Sequence, residues 1–457
     1  MEQMEQLQPV QLLDMLDARE RRAFKQKELI DKFHAPLVCF TMNIAGPYKN
    51  SPLIRRGFQM GCRELEMSLY REKIKILHKE EYAAATGNEA FYALDAKAIK
   101  IKEVTSEIED SSPMARLFDM DVLDITGEKL DRSLLSLPTR KCLICGKAAK
   151  ECSRSRTHTV EDLQKRTKEL LEWQIKEEDS LTIAKQATRA LLYEVTTTPK
   201  PGLVDRRNTG SHKDMDSFTF MSSAATLFPY FEKCARRGIE DARMGLSSKE
   251  SFAAIRPLGK QAENLMLAAT KGVNTHKGAI FSVGLACAAL GRVEYEDRKD
   301  PGKVLVECAK MTEGLTKNDY SNIKEPLTAG QRFYKEYGVL GVRGQAEAGF
   351  PAVLKAGLPV LEKGLELGLD NDRIGAAALL AMLCADDDTN MISRGGRQEQ
   401  LRTTKKVEEL LKSNPFPDEE TLINLDDQFI EKNLSPGGSA DLLALSWLLH
   451  FFKTEEF

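Results

Sequence analysis

The chain of 457 residues has no apolar run long enough to span a bilayer. Its longest low-charge stretch, GAIFSVGLACAALG between Lys277 and Arg292, falls short of the roughly 18 to 20 residues that a transmembrane helix needs, so a buried helix is expected there and no membrane association. Basic excess is missing as well. Lys and Arg number 66 against 69 Asp and Glu, a formal net charge of −3, which argues against nonspecific nucleic-acid binding and leaves nucleotide-sized ligands open. Cysteine is thinly spread, nine in the whole chain, so reduced thiols are expected rather than a disulfide framework. The N-terminal segment MEQMEQLQPVQLLDMLDARERRAFKQKEL is acidic, then basic, with amphipathic spacing and no apolar signal core, so a cytoplasmic protein is expected. No repeat of fixed period is present, which speaks against a solenoid.

What is present has the balance of a globular protein, 42% apolar and 30% charged, and the length predicts two or more domains. After an amphipathic helix through about Ile30, the short apolar run PLVCFTMNI has strand length, and EKIKIL, AFYAL and KAIKIKEV continue with period-two character. ATGNEA carries a Gly-Asn hairpin signal, so the sheet is expected to be mixed or antiparallel, in an α+β domain over 1–165. VEDLQKRTKELLEWQIKEED predicts a charged helical connector, placed at 166–179. From 180 to 457 the pattern turns to helices alone. LTIAKQATRALLYEV, SSAATLFPYFEKCARRG, AAIRPLGKQAENLMLAAT, VLVECAKMTEGL, AGFPAVLKAGLPVLEKGLELG, RIGAAALLAMLCA and ADLLALSWLLHFF have 3.6-residue apolar faces or are apolar all round, which predicts an all-α helical bundle.

Several segments break these local rules. ALLAMLCADDDTNMISRGG, 378–396, ends a core helix in Asp386, Asp387 and Asp388, where the helix terminus already carries partial negative charge and adjacent carboxylates repel. The charge calls for Lys or Arg from elsewhere or for an oxygen-liganded cation such as Mg2+; the plain alternative is a solvated helix end with one capping aspartate. TTTPKPGLVDRRNTGSHKDMDSFTF is a loop dense in charge, with Lys200 and Asp205. GVNTHKGAIF sets His276 and Lys277 at the start of the buried helix, cations that oppose its dipole unless an anion lies between them. GVRGQAEAGFP supplies Arg343, and the RGG after the aspartates supplies Arg394. LSPGGSADLL offers Gly437, Gly438, Ser439 as an expected N-cap, and the free amides of a helix start, the geometry that cradles phosphate. Cationic and glycine-rich helix starts facing DDDTN describe a site for a polyphosphate with Mg2+.

In the first half, LFDMDVLD places Asp119 and Asp121 two apart on a strand, hence on one face, with Phe118, Met120 and Val122 on the other. AGPYKNS puts Lys49, Asn50 and Ser51 in a Gly-Pro turn after the first strand, and Arg55 and Arg56 follow. CLICGKAAKECSRSRTH opens like a zinc knuckle, but its later spacings leave the common templates, so zinc at Cys142, Cys145, Cys152 and His158 is not expected and reduced thiols are.

Five of these motifs, TPKPGLVDRRNTGSHKDMD, NTHKGAIFSVG, GVRGQAEAGFP, DDDTN with RGG, and SPGGSADLLA, resemble in their order the motif series of triphosphoribosyl-dephospho-CoA synthases. LLDARERRAFKQKELI, FTMNIAGPYKNSPLIRRGF, RLFDMDVLD and RKCLICGKAAKECSRSRTH resemble apo-citrate lyase phosphoribosyl-dephospho-CoA transferase over about residues 10–165. The resemblance implies a natural fusion of two enzymes with ATP and 3′-dephospho-CoA as substrates. In the first reaction the 2′-hydroxyl of 3′-dephospho-CoA attacks C1′ of ATP and adenine leaves. In the second a serine of the citrate lyase acyl carrier protein (the gamma subunit) attacks the phosphorus next to the added ribose and pyrophosphate leaves. It implies metal or base work for Asp386, Asp387 and Asp388, a base candidate in Asp205, and phosphate contacts for Lys200, His276, Lys277, Arg343, Arg394, Gly437, Gly438 and Ser439. Nucleotidyl transfer implies a metal clamp at Asp119 and Asp121, with phosphate contacts from Lys49, Asn50 and Ser51; in the second half the metal ligands are Asp387 and Asp388. The alternative is an ADP-ribose hydrolase-like helical domain joined to a non-catalytic carrier-protein adaptor; release of free adenine from ATP and dephospho-CoA separates the two.

Overall fold

The computed structural model describes residues 9–320 and 329–455. The chain forms two compact units, Met1–Lys176 and Glu177–Phe457.

The first unit is built on a four-stranded antiparallel sheet of order β2-β3-β1-β4: β1 (Leu37–Met42), β2 (Lys75–Ala84), β3 (Gly87–Asp95) and β4 (Phe118–Leu123). Helices α1 (Leu12–Phe33), α2 (Pro52–Arg71) and α3 (Ala98–Asp110) accompany it. Alternation along the strands sorts the two faces. Val38, Phe40, Tyr92, Leu94, Met120 and Val122 pack with α2 and α3, whereas Cys39, Phe91 and Ala93 meet Leu29 and Ile30 of α1. The β2-β3 turn is Ala85-Thr86, since Ala84 pairs with Gly87; the expected Gly-Asn pair already belongs to β3. KAIKIKEV, read as a strand, is α3. Ile101, Val104 and Ile108 recur three and four apart and are buried while Ile99 is exposed, so helical burial overrides the short alternating signal. After β4, a segment with little regular structure leads to α4 (Ala149–Ser155) and α5 (Val160–Thr196). The stretch expected as connector contributes Leu170, Leu171 and Ile175 to the first unit's core.

The second unit contains no strand among its described residues. After α5 come α6 (Ser217–Arg243), α7 (Ser248–Ala269), α8 (Lys277–Arg292), α9 (Pro301–Thr312), α10 (Leu315–Tyr320), α11 (Ala329–Tyr337), α12 (Gly341–Glu347), α13 (Leu358–Glu366), α14 (Asn371–Ala385), α15 (Thr389–Ser413), α16 (Glu419–Glu431) and α17 (Gly437–Thr454). Helix α8 is buried nearly all round. It lies backbone to backbone against α6, where a Cβ on Gly238 would sit 2.1 Å from the Ala288 carbonyl oxygen. AGFPAVLKAGLPVLEKGLELG is not one helix: Gly349 and Phe350 have positive φ, a π-helical turn covers Val353–Gly357, and α13 follows. Helix α15, hidden behind the DDDTN motif, carries a break at Gly396. No helix of the described residues is long and apolar enough to cross a membrane.

Candidate functional site

In the helical unit, a cavity of about 790 Å³ is lined by ten of the site residues expected from sequence: Lys200, His276, Lys277, Arg343, Asp386, Asp387, Asp388, Arg394, Gly437 and Gly438. The loop after α5 delivers Lys200, which is 1% exposed; its ammonium donates to the Glu194 carbonyl at 2.8 Å and pairs with the Glu194 carboxylate. Burial pushes the Glu194 carboxyl up, and Lys200 opposes the shift. Asp205 does not line the cavity. It is buried and accepts from the amides of Lys200 (2.9 Å), Arg207 (2.7 Å) and Asn208 (3.0 Å), so its carboxylate closes the loop that carries Lys200 and is not a free base. Asp426 of α16, fully buried, holds the same loop through the Gly202 amide at 2.8 Å and the Asn208 side chain at 2.8 Å.

The three aspartates divide. Asp386 and Asp387 are half-buried at the cavity, with Asp387 paired to Arg397; burial raises the Asp386 carboxyl and Gln345 opposes it. Asp388 is the N-cap of α15. It accepts from the amides of Asn390 (2.9 Å) and Met391 (3.1 Å) and from the amide (2.8 Å) and hydroxyl (3.0 Å) of Ser439. This corrects two expectations. Ser439 is not an N-cap, because α17 starts at Gly437 after Pro436, and its amide is not free for phosphate because a buried carboxylate already occupies it. Nor is Asp388 free for metal, since both its oxygens already accept two hydrogen bonds each.

The acidic side chain that meets the start of α8 comes from α17. Asp441 accepts from the Ala279 amide, and a Cβ on Gly278 would fall 1.9 Å from its Oδ2. Burial raises the Asp441 carboxyl well above the ordinary value, and the charges of Glu194 and Asp388 add to the rise. His276, 2% exposed, shares a 2.7 Å hydrogen bond between its Nδ1 and the Ser223 hydroxyl; burial, with the Lys200 charge, lowers its pKa to about 3, so the ring is neutral. Lys277 pairs with Glu263 at 3.1 Å and Arg343 with Asp319 at 3.0 Å. Arg394 holds the loop carbonyl of Ser211 at 2.8 Å and the His212 ring at 3.1 Å. Glu194, Asp426 and Asp441 were missed by sequence reasoning. Asp441 sits in the SADLL motif and was legible there as an acid one turn into a buried helix; Glu194 and Asp426 gave no local signal.

In the first unit, β4 turns Asp119 and Asp121 to one face, as alternation requires. Each faces its own cation: Asp119 lies 3.7 Å from Arg140, and Asp121 lies 2.6 Å from Lys129. Burial and then the neighbouring Asp121 raise the Asp119 carboxyl. The register sets Asp119, Thr41 and Glu89 abreast across three strands; Glu89, 2% exposed, is met by Arg22 of α1 at 2.8 Å. Lys49, Asn50 and Ser51 are not gathered with this acidic row. The Lys49 ammonium donates to the Ile44 carbonyl, Asn50 bonds Ala84 and Asn88 at the hairpin, and Ser51 caps α2 through the Ile54 amide, so their polar atoms hold local structure. A separate cavity of about 670 Å³ is lined by Arg116, Arg140, Lys141, Arg156 and His158 with no carboxylate among its walls. Sequence reasoning missed it, because its cations come from β4's approach, from the segment beyond it and from the end of α4. Arg140 joins the two features, bonding the carbonyls of Arg116 (2.9 Å) and Phe118 (2.6 Å) while facing Asp119. Cys142, Cys145 and Cys152, expected as reduced thiols without zinc, and His158 present ligand atoms that all lie within 4.8 Å of one another.

A carboxylate-and-cation cavity in one unit, and in the other an acid-free basic cavity beside paired aspartates, give the protein two separate sites suited to phosphorylated ligands. The comparisons narrow this reading. Residues 180–456 match the family ATP:dephospho-CoA triphosphoribosyl transferase, and residues 10–174 match the family apo-citrate lyase phosphoribosyl-dephospho-CoA transferase. The chain is 36% identical to Protein CitXG of Haemophilus influenzae, with 97% of each chain covered. It is 34% identical to Protein CitXG of Leuconostoc mesenteroides subsp. cremoris, with 96% of each covered. Over 276 residues, 60% of this chain and 90% of the relative, it is 40% identical to the 2-(5''-triphosphoribosyl)-3'-dephosphocoenzyme-A synthase of Pectobacterium atrosepticum. The chain belongs to the family in which these two transferases are fused, and it is a bifunctional transferase of citrate lyase prosthetic group synthesis and attachment.

Proposed function

We propose that residues 180–457 join the 2′-hydroxyl of 3′-dephospho-CoA to C1′ of ATP with loss of adenine. Residues 1–165, joined through 166–179, then transfer the product to a serine of the citrate lyase acyl carrier protein with loss of pyrophosphate, in the cytoplasm. The observation that supports the first reaction best is the cavity in which Lys277, Arg343 and Arg394 stand with Asp386, Asp387 and Asp441 around a volume of nucleotide size. In this reading the cations take the triphosphate, and Asp441, which lines the cavity against Gly278 at the start of α8, is the acid placed for proton transfer with the 2′-hydroxyl. A carboxylate beside C1′ stabilises the oxocarbenium charge that develops as adenine leaves. Asp386 and Asp387 are the residues fit to hold Mg2+ carried by the triphosphate, since Mg2+ takes one or two carboxylates plus substrate phosphates and supplies charge neutralisation there. Asp205, Asp388 and Ser439 hold the walls.

In the second reaction the phosphate chain occupies the basic cavity of Arg116, Arg140 and Lys141, and Asp119, its carboxyl raised by burial, accepts the serine proton. The test is the intact mass of the apo carrier after incubation with the chain, ATP, Mg2+ and 3′-dephospho-CoA. An unchanged mass, with both units folded, overturns the reading.

Two variants address the parts. Gly278→Ala is expected to push the Asp441 carboxylate off the start of α8. Because the atom met is the end of a side chain and not backbone, the fold survives and adenine release falls about 10²-fold; near-normal release excludes Asp441 from the chemistry. Asp119→Ala should abolish carrier modification, by about 10²-fold or more, while adenine release from ATP continues. Loss of both activities in a folded Asp119→Ala protein would show that Asp119 is not confined to the second reaction.

A further inference from the structure

We propose that Cys142, Cys145, Cys152 and His158 form a structural zinc site. Their four ligand atoms lie within 4.8 Å of one another. Tetrahedral coordination at Zn–S of about 2.3 Å and Zn–N of about 2.0 Å places ligand atoms roughly 3.5 to 3.8 Å apart, so small side-chain adjustments close the shell. The backbone is already shaped for it. Cys142 and Cys145 lie on a tight turn in which the Cys142 amide donates to the Lys147 carbonyl at 2.6 Å, Lys141 pairs with Ala148, and Gly146 supplies the left-handed residue at φ 71°. The Ile144 amide points at the Cys142 sulfur at 3.5 Å, the contact that steadies a thiolate. Helix α4 brings in Cys152, whose sulfur is 3.4 Å from that of Cys145, too far for a disulfide at about 2.05 Å. Arg156, left-handed at φ 47°, ends α4 and returns the chain so that His158 reaches the cluster; spacing templates drawn from other knuckles do not contain that reversal.

Two further observations point to a metal. Between Cys142 and His158 the large apolar side chains are Leu143, which packs against the first unit's core, and Ile144, which is exposed, so the segment has little apolar core of its own to fold on. Zinc with three thiolates and one imidazole carries a net charge of −1, in a stretch of chain that holds Lys141, Lys147, Lys150, Arg154 and Arg156 against the single acid Glu151. The site's role is positional. Cys142, Cys152 and His158 share the wall of the basic cavity with Arg140, Lys141 and Arg156, so the ion fixes the segment that presents those cations.

The experiment is elemental analysis of the full chain purified without chelator. About one zinc per chain is expected, lost in Cys145→Ser and Cys152→Ser, retained in Cys384→Ser and in the ligand exchange His158→Cys. Should the serine variants fail to fold, mercurial titration of the wild-type chain with a chromogenic chelator is to release the zinc as the thiols react, and cobalt-loaded chain is to show the visible bands of a tetrahedral thiolate site. Stripping zinc is to depress carrier modification and leave adenine release unchanged. A reduced chain that retains no zinc after reconstitution and desalting overturns the proposal, as does a folded Cys152→Ser protein that keeps a full equivalent.

Discussion

Lys200→Met will destabilise the helical unit by about 3 to 5 kcal/mol, because it leaves the Glu194 carboxylate buried without its cation. The two side chains are 1% and 5% exposed, so water cannot take over the lost partner, and the Glu194 carbonyl loses its ammonium donor as well. In a unit of this size that corresponds to a fall in melting temperature on the order of 10 °C. The double variant Lys200→Met/Glu194→Leu removes both charges and should recover most of the melting temperature, since an apolar pair of similar volume replaces a buried ion pair at little cost. Adenine release should not recover, because Lys200 and Glu194 both line the cavity. A single variant that melts with the wild type would show that Glu194 has another partner or is neutral.

Adjacent aspartates should behave in opposite ways. Asp388→Ala removes the N-cap of α15, about 1 kcal/mol, and strips a partner from the buried amide of Ser439, about 1 to 3 kcal/mol, so a loss of roughly 2 to 4 kcal/mol is expected, with activity failing as the fold does. Asp387→Asn breaks a pair with Arg397 whose side chains are 25% and 38% exposed, an interaction of about 1 kcal/mol or less, and should melt nearly as the wild type while adenine release falls sharply. Thermal unfolding without metal and adenine release with it, measured on both, decide the matter. An Asp388→Ala loss as small as that of Asp387→Asn would mean that the hydrogen bonds of Asp388 contribute little; wild-type activity in the folded fraction of Asp387→Asn would remove it from the site. Removing charge from DDDTN is thus expected to be harmless to the fold at one position and costly at the next, a distinction that three consecutive aspartates do not carry in sequence.

The sequence by itself determined the division into a sheet-bearing half and a helical half, the buried character of α8, the shared face of Asp119 and Asp121, and, through its ordered motifs, the family. These follow from local periodicity and residue type, which survive without knowledge of any partner. KAIKIKEV failed because a short apolar run satisfies two periods at once, and burial against the sheet chose between them.

Tertiary structure alone decided which polar atoms are free. Ser439, Asp388, Asp205, Asn50 and Ser51 all carry the chemistry of ligands, yet each is engaged by a backbone or side-chain group, with partners from 2 to 51 residues away. Asp441 reaches the start of α8 from α17, Asp426 reaches the Lys200 loop from α16, and four ligand atoms between Cys142 and His158 meet after a left-handed turn that no spacing rule contains. Hydrogen bonding and charge pairing act over a few ångströms in space and are indifferent to separation along the chain, so residue type announces what a side chain can do, and only packing settles what is left for it to do.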